Sequence, residues 1–267
     1  MNKNIKDLKK QIKEHKATFA VYCVLRFFVM IAIVTNILSR NYESLFFCVL
    51  TLVLMLVPSF VEKKLRISLP TGLEITILLF IFSAEILGEM QNYYTRFPFW
   101  DTILHTVNGF LCAAIGFAMV DILNNDLKTK FKLSPFYLAV AAFCFSMTIG
   151  VIWEFFEFGC DVFLHTDMQK DQIVHHISSV MLNPDGMNKA VVIENITQTY
   201  VNGKSLPVNG YLDIGIYDTM KDLFVNFIGA VVFSVIGYFY VKSRGKNSFA
   251  KNFIPVPKKD GIENKEE

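Results

Sequence analysis

The chain has 267 residues, of which 53% are hydrophobic, 19% are charged and 26 are phenylalanine, and its mean hydropathy is +0.39. This apolar share is too high, and the charged share too low, for an ordinary soluble domain. The formal net charge is only +2, and the basic residues collect near the chain ends and between apolar stretches. A nucleic-acid surface is therefore excluded, and we predict an all-α integral membrane protein.

Six apolar stretches are long enough to cross a membrane, because a bilayer core of roughly 30 Å requires about 20 residues of helix. The first stretch is too long for a cleaved signal peptide, and no small-residue cleavage site follows it. We therefore predict six transmembrane helices within a membrane domain, 17–241. The predicted spans are about 17–38, 44–61, 71–90, 103–123, 135–158 and 223–241.

Lysine and arginine clusters predict the orientation, because cytoplasmic flanks of membrane spans carry the positive excess. Clusters lie in the N-terminal arm (1–16), between spans two and three, between spans four and five, and in the C-terminal tail (242–267). Both termini are therefore expected in the cytoplasm of a bacterial cell, with the chain in the plasma membrane. The arm also has an amphipathic spacing that suits either a helix on anionic headgroups or a solvated helix.

The polar insertion between spans five and six, 162–217, is too long for a simple connection. It contains the turn signals Asn183-Pro184-Asp185-Gly186 and Asn202-Gly203, and a β-rich stretch from Val191 to Tyr200. These signals favour an ordered segment over a disordered one. We predict a small extracytoplasmic cap.

Spans four and six begin alike, with Trp100-Asp101-Thr102 and Tyr217-Asp218-Thr219, and an asparagine and a glycine follow in each span. Spans three and five each carry two glutamates near their outer ends. These matches predict two related hairpins, arranged as a parallel repeat about an axis along the membrane normal.

Acidic residues converge on the predicted outer face, because spans three and five run outward and spans four and six run inward. Several lie three or four residues apart, so that they share one side of a helix. Ionisable groups inside a span are costly and normally face the bundle interior or a wet cavity. This polar set consists of Glu85, Glu89, Asp101, His105, Glu154, Glu157, Asp161, Asp218, Asp222 and Asn226.

Crowded carboxylates raise one another's pKa unless they share a proton or a cation, and a divalent metal ion resolves this. Oxygen ligands with one histidine suit magnesium, manganese, calcium or zinc. We predict a cation bound by Asp101, His105, Glu154, Asp218 and Asp222. Glu154, Glu157 and Asp101 are the predicted catalytic residues, because a carboxylate of raised pKa can serve as general acid or base.

The polar positions Asp101-x-x-x-His105, Glu154-x-x-Glu157 and Asp218-x-x-x-Asp222-x-x-x-Asn226 resemble those of the VanZ-like and YjdF-type bacterial inner-membrane proteins. The resemblance covers roughly residues 71–240 and implies a multi-pass cell-envelope protein. VanZ-like proteins are associated with glycopeptide resistance, and the YjdF type is uncharacterised. Glu157, where the VanZ-like pattern often has glutamine, and the long insertion depart from that pattern.

Three functions remain open from the sequence. The protein could be a membrane enzyme acting on an envelope lipid or a lipid-linked glycan, which makes membrane lipids and a lipid-linked substrate its expected partners. Alternatively, it could be a proton- or cation-coupled transporter, although the inner halves of spans three to six contain few polar residues. It could also be a non-catalytic envelope or assembly factor, in which the acidic residues only hold helices together.

Overall fold

The computed structural model describes residues 16–125, 132–243 and 248–257. Within these residues, six helices are long and apolar enough to cross a membrane, which confirms the predicted number of spans. The predicted N-terminal arm lies outside the described residues except for Lys16, and so do parts of the predicted tail. The orientation of the termini and of the cap remains a prediction.

The spans are numbered in chain order with the short elements between them. The first span is α1 (Lys16–Leu38), and the second consists of α2 (Tyr42–Leu54) and α3 (Val57–Leu65). The third is α4 (Thr71–Phe82), which continues as a π-helix (Ser83–Met90). The short α5 (Tyr93–Arg96) precedes the fourth span, α6 (Trp100–Asn125), and the last two spans are α7 (Pro135–Leu164) and α8 (Ile216–Lys242).

Two spans depart from regular α-helix. The second changes to a new helix after Met55 and Leu56, where Pro58 lies in the first turn of α3 and has no N–H to continue the ladder. The π-helix that ends the third span contains Glu85 and Glu89. π-Helical turns are rare overall, and those that occur are often near functional sites. The periodicity of the sequence does not predict this one.

The chain divides into two compact units, which we call the main unit (1–150 and 225–267) and the insertion unit (151–224). The core of the main unit is built around α6, where Phe117 is fully buried together with Phe233 and Leu138. Small residues of α6 fill the remaining space, since Ala113 and Ala114 are also fully buried. Small side chains let transmembrane helices approach closely, and dispersion then stabilises the contact.

The described part of the C-terminal tail belongs to this core. It forms the short α9 (Ser248–Lys251) and the strand β8 (Val256–Pro257), which pairs antiparallel with β1 (Ile67–Ser68). Ala250 and Ile254 are buried, and the carbonyl of Asn252 accepts a 2.8 Å hydrogen bond from the N–H of Leu73. The tail was predicted only as a basic cytoplasmic segment, and its Ala250 and Ile254 instead lie in the core of the main unit.

The insertion unit contains three two-stranded antiparallel ladders among its described residues. The strands are β2 (Ile173–Val174) with β7 (Tyr211–Leu212), β3 (Ile177–Ser179) with β4 (Val191–Ile193), and β5 (Tyr200–Val201) with β6 (Lys204–Ser205). A short 3₁₀-helix (Val180–Leu182) follows β3. Asn202 and Gly203 connect β5 to β6 with φ of 52° and 76°, as the Asn-Gly hairpin signal predicts.

Candidate functional site

A close crossing of α6 and α8 organises the main unit at mid-span. A Cβ atom on Gly109 would lie 2.1 Å from the carbonyl oxygen of Asn226, and one on Gly229 would lie 2.1 Å from that of Thr106. Because the two backbones touch, no residue other than glycine fits at either position. Positions 109 and 226 also correspond to each other when the beginnings of spans four and six are aligned, although the predicted duplication itself stays a prediction.

Polar side chains join α7 to this crossing. Asn226 is 1% exposed and accepts a 3.3 Å hydrogen bond from the amide of Asn108. The Ser146 hydroxyl donates to the carbonyl of Gly109 at 2.8 Å, and a Cβ on Gly150 would lie 2.7 Å from the amide nitrogen of Asn226. These five residues, Asn108, Gly109, Ser146, Gly150 and Asn226, form what we call the polar layer, which fixes the register of α6, α7 and α8.

Asp101 and His105 lie one turn apart at the beginning of α6. A carboxylate oxygen of Asp101 is 3.4 Å from Nε2 of His105, and the histidine is 8% exposed. A carboxylate partner of this kind orients an imidazole and selects its tautomer. The sequence prediction that these two residues share a helix face is confirmed.

The π-helix places Glu85 and Glu89 in different environments, since Glu85 is partly buried and Glu89 is exposed. The indole N–H of Trp100 donates to the carbonyl of Ser83 at 3.3 Å, which attaches the π-helix to the first turn of α6. Gly88 lies directly under the Tyr94 ring. This packing places the two glutamates in the main unit, near the beginning of α6.

In the insertion unit, the last turns of α7 contain two buried glutamates. Glu154 is 5% exposed and Glu157 is 8% exposed. The indole N–H of Trp153 donates to a carboxylate oxygen of Glu157 at 2.8 Å. This charge-assisted hydrogen bond holds the Glu157 side chain in one orientation.

The first turns of α8 contain two buried aspartates with a shared cation. Asp218 is 4% exposed and Asp222 is 2% exposed. The Lys221 ammonium lies 3.2 Å from an oxygen of Asp218 and 3.8 Å from an oxygen of Asp222. The positive charge of Lys221 is thus shared by two carboxylates.

Three aspartates of the insertion unit bind the loop that follows α7. Asp161 accepts the backbone N–H of Met168 at 2.6 Å and of Gln169 at 2.8 Å. The other such bonds run from the N–H of Lys170 to Asp218, and from those of Gln172 and Tyr217 to Asp213. Asp161 and Asp218 were predicted as pocket or metal residues, and the structure shows them holding this loop.

Asp213 was not singled out from the sequence. An aspartate just before a predicted helix is a capping signal, and this signal identifies it in retrospect. Nearby, the pKa of Asp171 is raised by its partial burial and then by the carboxylates of Asp167, Asp213 and Asp161. The loop therefore concentrates negative charge.

Among the described residues, five side chains are candidate ligands of a metal ion: Asp101, His105, Glu154, Glu157 and Asp222. Four of the predicted metal ligands are in this set, Asp218 is not, and Glu157 was predicted as catalytic. Carboxylates with one imidazole suit a hard or borderline divalent cation. The protein therefore has an acidic set of side chains suited to a metal, and metal binding itself stays a prediction.

Comparison with known proteins gives a relative without an assigned activity. An uncharacterized protein of Thermotoga maritima is 28% identical over 107 residues, which are 40% of this chain and 53% of the relative. The chain thus spans about half the length of that relative. No solved structure matches this chain.

The family comparison covers most of the chain. The model of the family described as "Predicted membrane protein (DUF2238)" matches residues 20–243, a range that includes all six spans except a few terminal residues. The match supports an uncharacterised membrane protein family and does not single out the VanZ-like or YjdF-type proteins. This multi-pass membrane protein belongs to the DUF2238 family.

Proposed function

We propose that the protein is a metal-dependent membrane enzyme that acts on an envelope lipid or a lipid-linked glycan at the extracytoplasmic face. In this proposal one divalent cation is bound by Asp101, His105, Glu154 and Asp222. The observation that carries the proposal is the polar layer, which fixes the register of α6, α7 and α8. Of the four proposed ligands, His105, Glu154 and Asp222 each lie one helical turn from a residue of this layer along their own helix.

Helix periodicity connects the polar layer to the proposed ligands. His105 precedes Gly109 by four residues, and Asp222 precedes Asn226 by four residues. Glu154 follows Gly150 by four residues, and α7 runs in the opposite direction to α6 and α8 in the predicted topology. Four residues are about one turn, or ~6 Å, on the same helix face. His105, Glu154 and Asp222 are therefore expected one turn outward from a residue of the polar layer, and Asp101 lies one further turn out on α6.

The chemistry of the side chains favours a cation over a purely structural role. Buried carboxylates repel one another unless positive charge is present, and Lys221 supplies one positive charge beside Asp218 and Asp222. A divalent cation would supply more and, when bound, would activate water or polarise a phosphoryl or ester oxygen. Glu157, oriented by Trp153, is the proposed general base.

The core of the main unit favours an enzyme over a transporter. On the other side of the polar layer, the ring of Phe110 packs edge-to-face on the rings of Phe233 and Phe253, with centroid distances of 5.0 and 5.1 Å. The rings of Phe117 and Phe233 also pack edge-to-face, with their centroids 6.1 Å apart. This aromatic packing offers no polar groups along which an ion could continue. A site open to one side of the membrane suits a reaction on a lipid headgroup better, and it agrees with the suggested relation to VanZ-like and YjdF-type envelope proteins.

Metal content tests the proposal directly. Purified protein is dialysed against magnesium, manganese, calcium or zinc, and bound metal is measured by mass spectrometry. We expect about one ion per chain for one of these metals, and at least tenfold weaker binding by Asp222→Asn and Glu154→Gln, because each removes a charged ligand. Asp121→Asn is the matched control, since this carboxylate lies near the other end of α6 and bonds to Asn125. Negligible metal in the unaltered protein would overturn the proposal.

The enzymatic part needs a separate readout. The metal-loaded protein is incubated in nanodiscs with an envelope lipid extract, and products are analysed by mass spectrometry. We expect a lipid product that requires the metal and is absent with Glu157→Gln at unchanged metal content. If Glu154→Gln and Asp222→Asn instead lower only the melting temperature, with no metal and no product in any sample, the assembly-factor hypothesis is correct.

A further inference from the structure

The ammonium of Lys221 is an internal cation beside one of the proposed metal ligands. It donates a 3.2 Å hydrogen bond to Asp218, and it lies 3.8 Å from a carboxylate oxygen of Asp222. The lysine side chain is 39% exposed, whereas the side chains of Asp218 and Asp222 are 6% and 2% exposed. The positive charge therefore reaches this buried pair of carboxylates from the surface of the insertion unit.

The two carboxylates hold this ammonium to different extents. One oxygen of Asp218 accepts from Lys221, and the other accepts from the backbone N–H of Lys170 at 2.9 Å, so Asp218 is fixed in place. The distance to Asp222 is longer than a hydrogen bond, and this contact is an ion pair only. Lys221 can therefore leave Asp222 and keep Asp218 as its partner.

The corresponding partner in α6 differs in how it can respond to a metal. His105, beside Asp101, is itself a candidate ligand, because a neutral imidazole has a nitrogen lone pair to offer. An ammonium has three donors and no acceptor, so a charged lysine cannot ligate a cation. A divalent ion bound by Asp222 would also repel the ammonium at this short distance. His105 can therefore stay when a metal binds, whereas Lys221 has to move away from Asp222.

We propose that Lys221 is a built-in competitor for the metal: its ammonium balances the charge of Asp222 in metal-free protein, and a bound divalent ion displaces it. This inference rests on the proposed metal site and adds its regulation. A carboxylate that is only 2% exposed is costly to bury without positive charge nearby, so the lysine stabilises the metal-free protein. Because the metal has to displace it, Lys221 also raises the metal concentration at which the site fills.

Metal titration of Lys221→Met tests the inference, since methionine keeps an unbranched side chain without the charge. The full chain in mild detergent is titrated by calorimetry with magnesium, manganese, calcium or zinc, at one pH and ionic strength. We expect about three- to tenfold tighter binding than by the unaltered protein, the range for removing a like charge ~5 Å away in a hydrated, screened site. The metal-free variant should have a lower melting temperature, because Asp222 loses a counter-ion. A purely structural lysine would lower the melting temperature without tightening metal binding.

Lys170→Met is the matched control for the loss of charge. Lys170 belongs to the same insertion unit, its side chain is 42% exposed, and its ammonium lies 3.9 Å from Asp167. Its replacement removes one positive charge at similar exposure and leaves the ion pair of Lys221 with Asp222 in place. Lys221→Arg keeps the charge and should bind metal no more tightly than the unaltered protein. We expect only Lys221→Met to combine tighter metal binding with lower metal-free stability.

Chemical labelling of the unaltered protein gives a second test that needs no variant. Lysine amines are briefly acetylated with and without saturating metal, and the modified peptides are quantified by mass spectrometry. The reactivity of Lys221 should rise about twofold or more on metal binding, because its flexible side chain moves away from Asp222 and becomes more exposed. The reactivity of Lys170 should not change.

The two tests separate failure of this inference from failure of the metal site. If folded Lys221→Met bound metal no more tightly than the unaltered protein, the inference would be wrong and the metal site would stand. The same holds if metal bound without changing the labelling of Lys221. Negligible metal binding by the unaltered protein would overturn both the metal site and the role of Lys221.

Discussion

The carboxylates of the spans and those of the loop after α7 differ in what they bind. In the spans, Asp101 faces an imidazole and Asp222 faces an ammonium. Around the loop, Asp161 in the last turn of α7 and Asp213 just before α8 each accept two backbone N–H groups, and we call these two the loop carboxylates. Both kinds are acidic residues near the ends of predicted spans, and their sequences alone do not separate them.

This difference separates structural carboxylates from candidate ligands. A carboxylate that accepts main-chain N–H groups is part of the folded loop, and to coordinate a cation it must give up those bonds. A carboxylate beside an ionisable side chain can exchange that partner for a cation at lower cost, because only side chains need to move. We therefore expect loss of a loop carboxylate to change stability, and loss of a span carboxylate to change metal binding.

The largest effect is expected from Gly109→Val, which breaks the register on which the span carboxylates depend. The new side chain would collide with the carbonyl of Asn226, which is backbone and cannot rotate away. Forced separation of α6 and α8 should cost about 3 kcal/mol or more. The melting temperature in detergent and the yield of folded protein measure this loss.

Gly159→Ala is the matched control for that substitution. Gly159 also lies in a transmembrane helix, α7, and a Cβ there would meet nothing within 4 Å. Replacing a helical glycine by alanine usually stabilises by about 0.5–1 kcal/mol. Equal stability of Gly109→Val and the unaltered protein would show that the crossing does not set the helix register.

A smaller and more local effect is expected from Asp213→Asn. Its two oxygens accept the N–H groups of Gln172 and Tyr217 at 2.5 and 2.9 Å, and the residue is 7% exposed. An asparagine presents a donor to one of these two N–H groups, which should cost about 1–3 kcal/mol. Limited proteolysis should cut the segment between α7 and α8 faster, while metal content stays unchanged.

Asp185→Asn provides the comparison, because Asp185 is an exposed residue of the same segment and its backbone N–H, not its carboxylate, bonds to Asn183. Its proteolysis rate should match that of the unaltered protein. If Asp213→Asn removed bound metal and Asp222→Asn did not, the assignment of the two kinds of carboxylate would have to be reversed.

The sequence predicted the spans well because bilayer thickness imposes a length and a hydrophobicity that each span must satisfy alone. The Asn202-Gly203 hairpin was equally predictable from the sequence, since a turn with two positive φ values favours those residues. Such features depend on local chemistry. They need no knowledge of what packs against them.

Features that depend on partners were not predicted. The burial of Ala250 and Ile254 rests on contact with the third span, where Gly72 leaves room for the carbonyl of Asn252. A short apolar group among lysines looks like a solvated tail when that partner is unknown. The role of Ser146, whose hydroxyl joins α7 to Gly109, likewise follows only from the approach of two helices. The candidate metal ligands could be predicted from the sequence because burying charge in a membrane is costly wherever it occurs.

The smallest expected effect concerns the pH dependence of the loop, through Asp171. Burial and then the neighbouring carboxylates of Asp167, Asp213 and Asp161 raise its pKa above the usual value of about 4. Its charged form is therefore less favourable in the folded loop than in the unfolded chain. The resulting loss of stability is fully present above the raised pKa of the folded loop. It is relieved as the pH falls from that raised pKa to the lower pKa of the unfolded chain.

Asp171→Asn should remove this penalty at neutral pH, because the neutral amide does not repel the other carboxylates. The variant loop should resist proteolysis slightly better than the unaltered loop at pH 7, and the difference should shrink as the pH approaches 4. A protease active over this range, with Asp185→Asn run in parallel, measures it. If the Asp171→Asn loop were less resistant to the protease at pH 7, the prediction would be wrong. The Asp171 carboxylate would then stabilise the loop, as that of Asp213 does, rather than repel its neighbours.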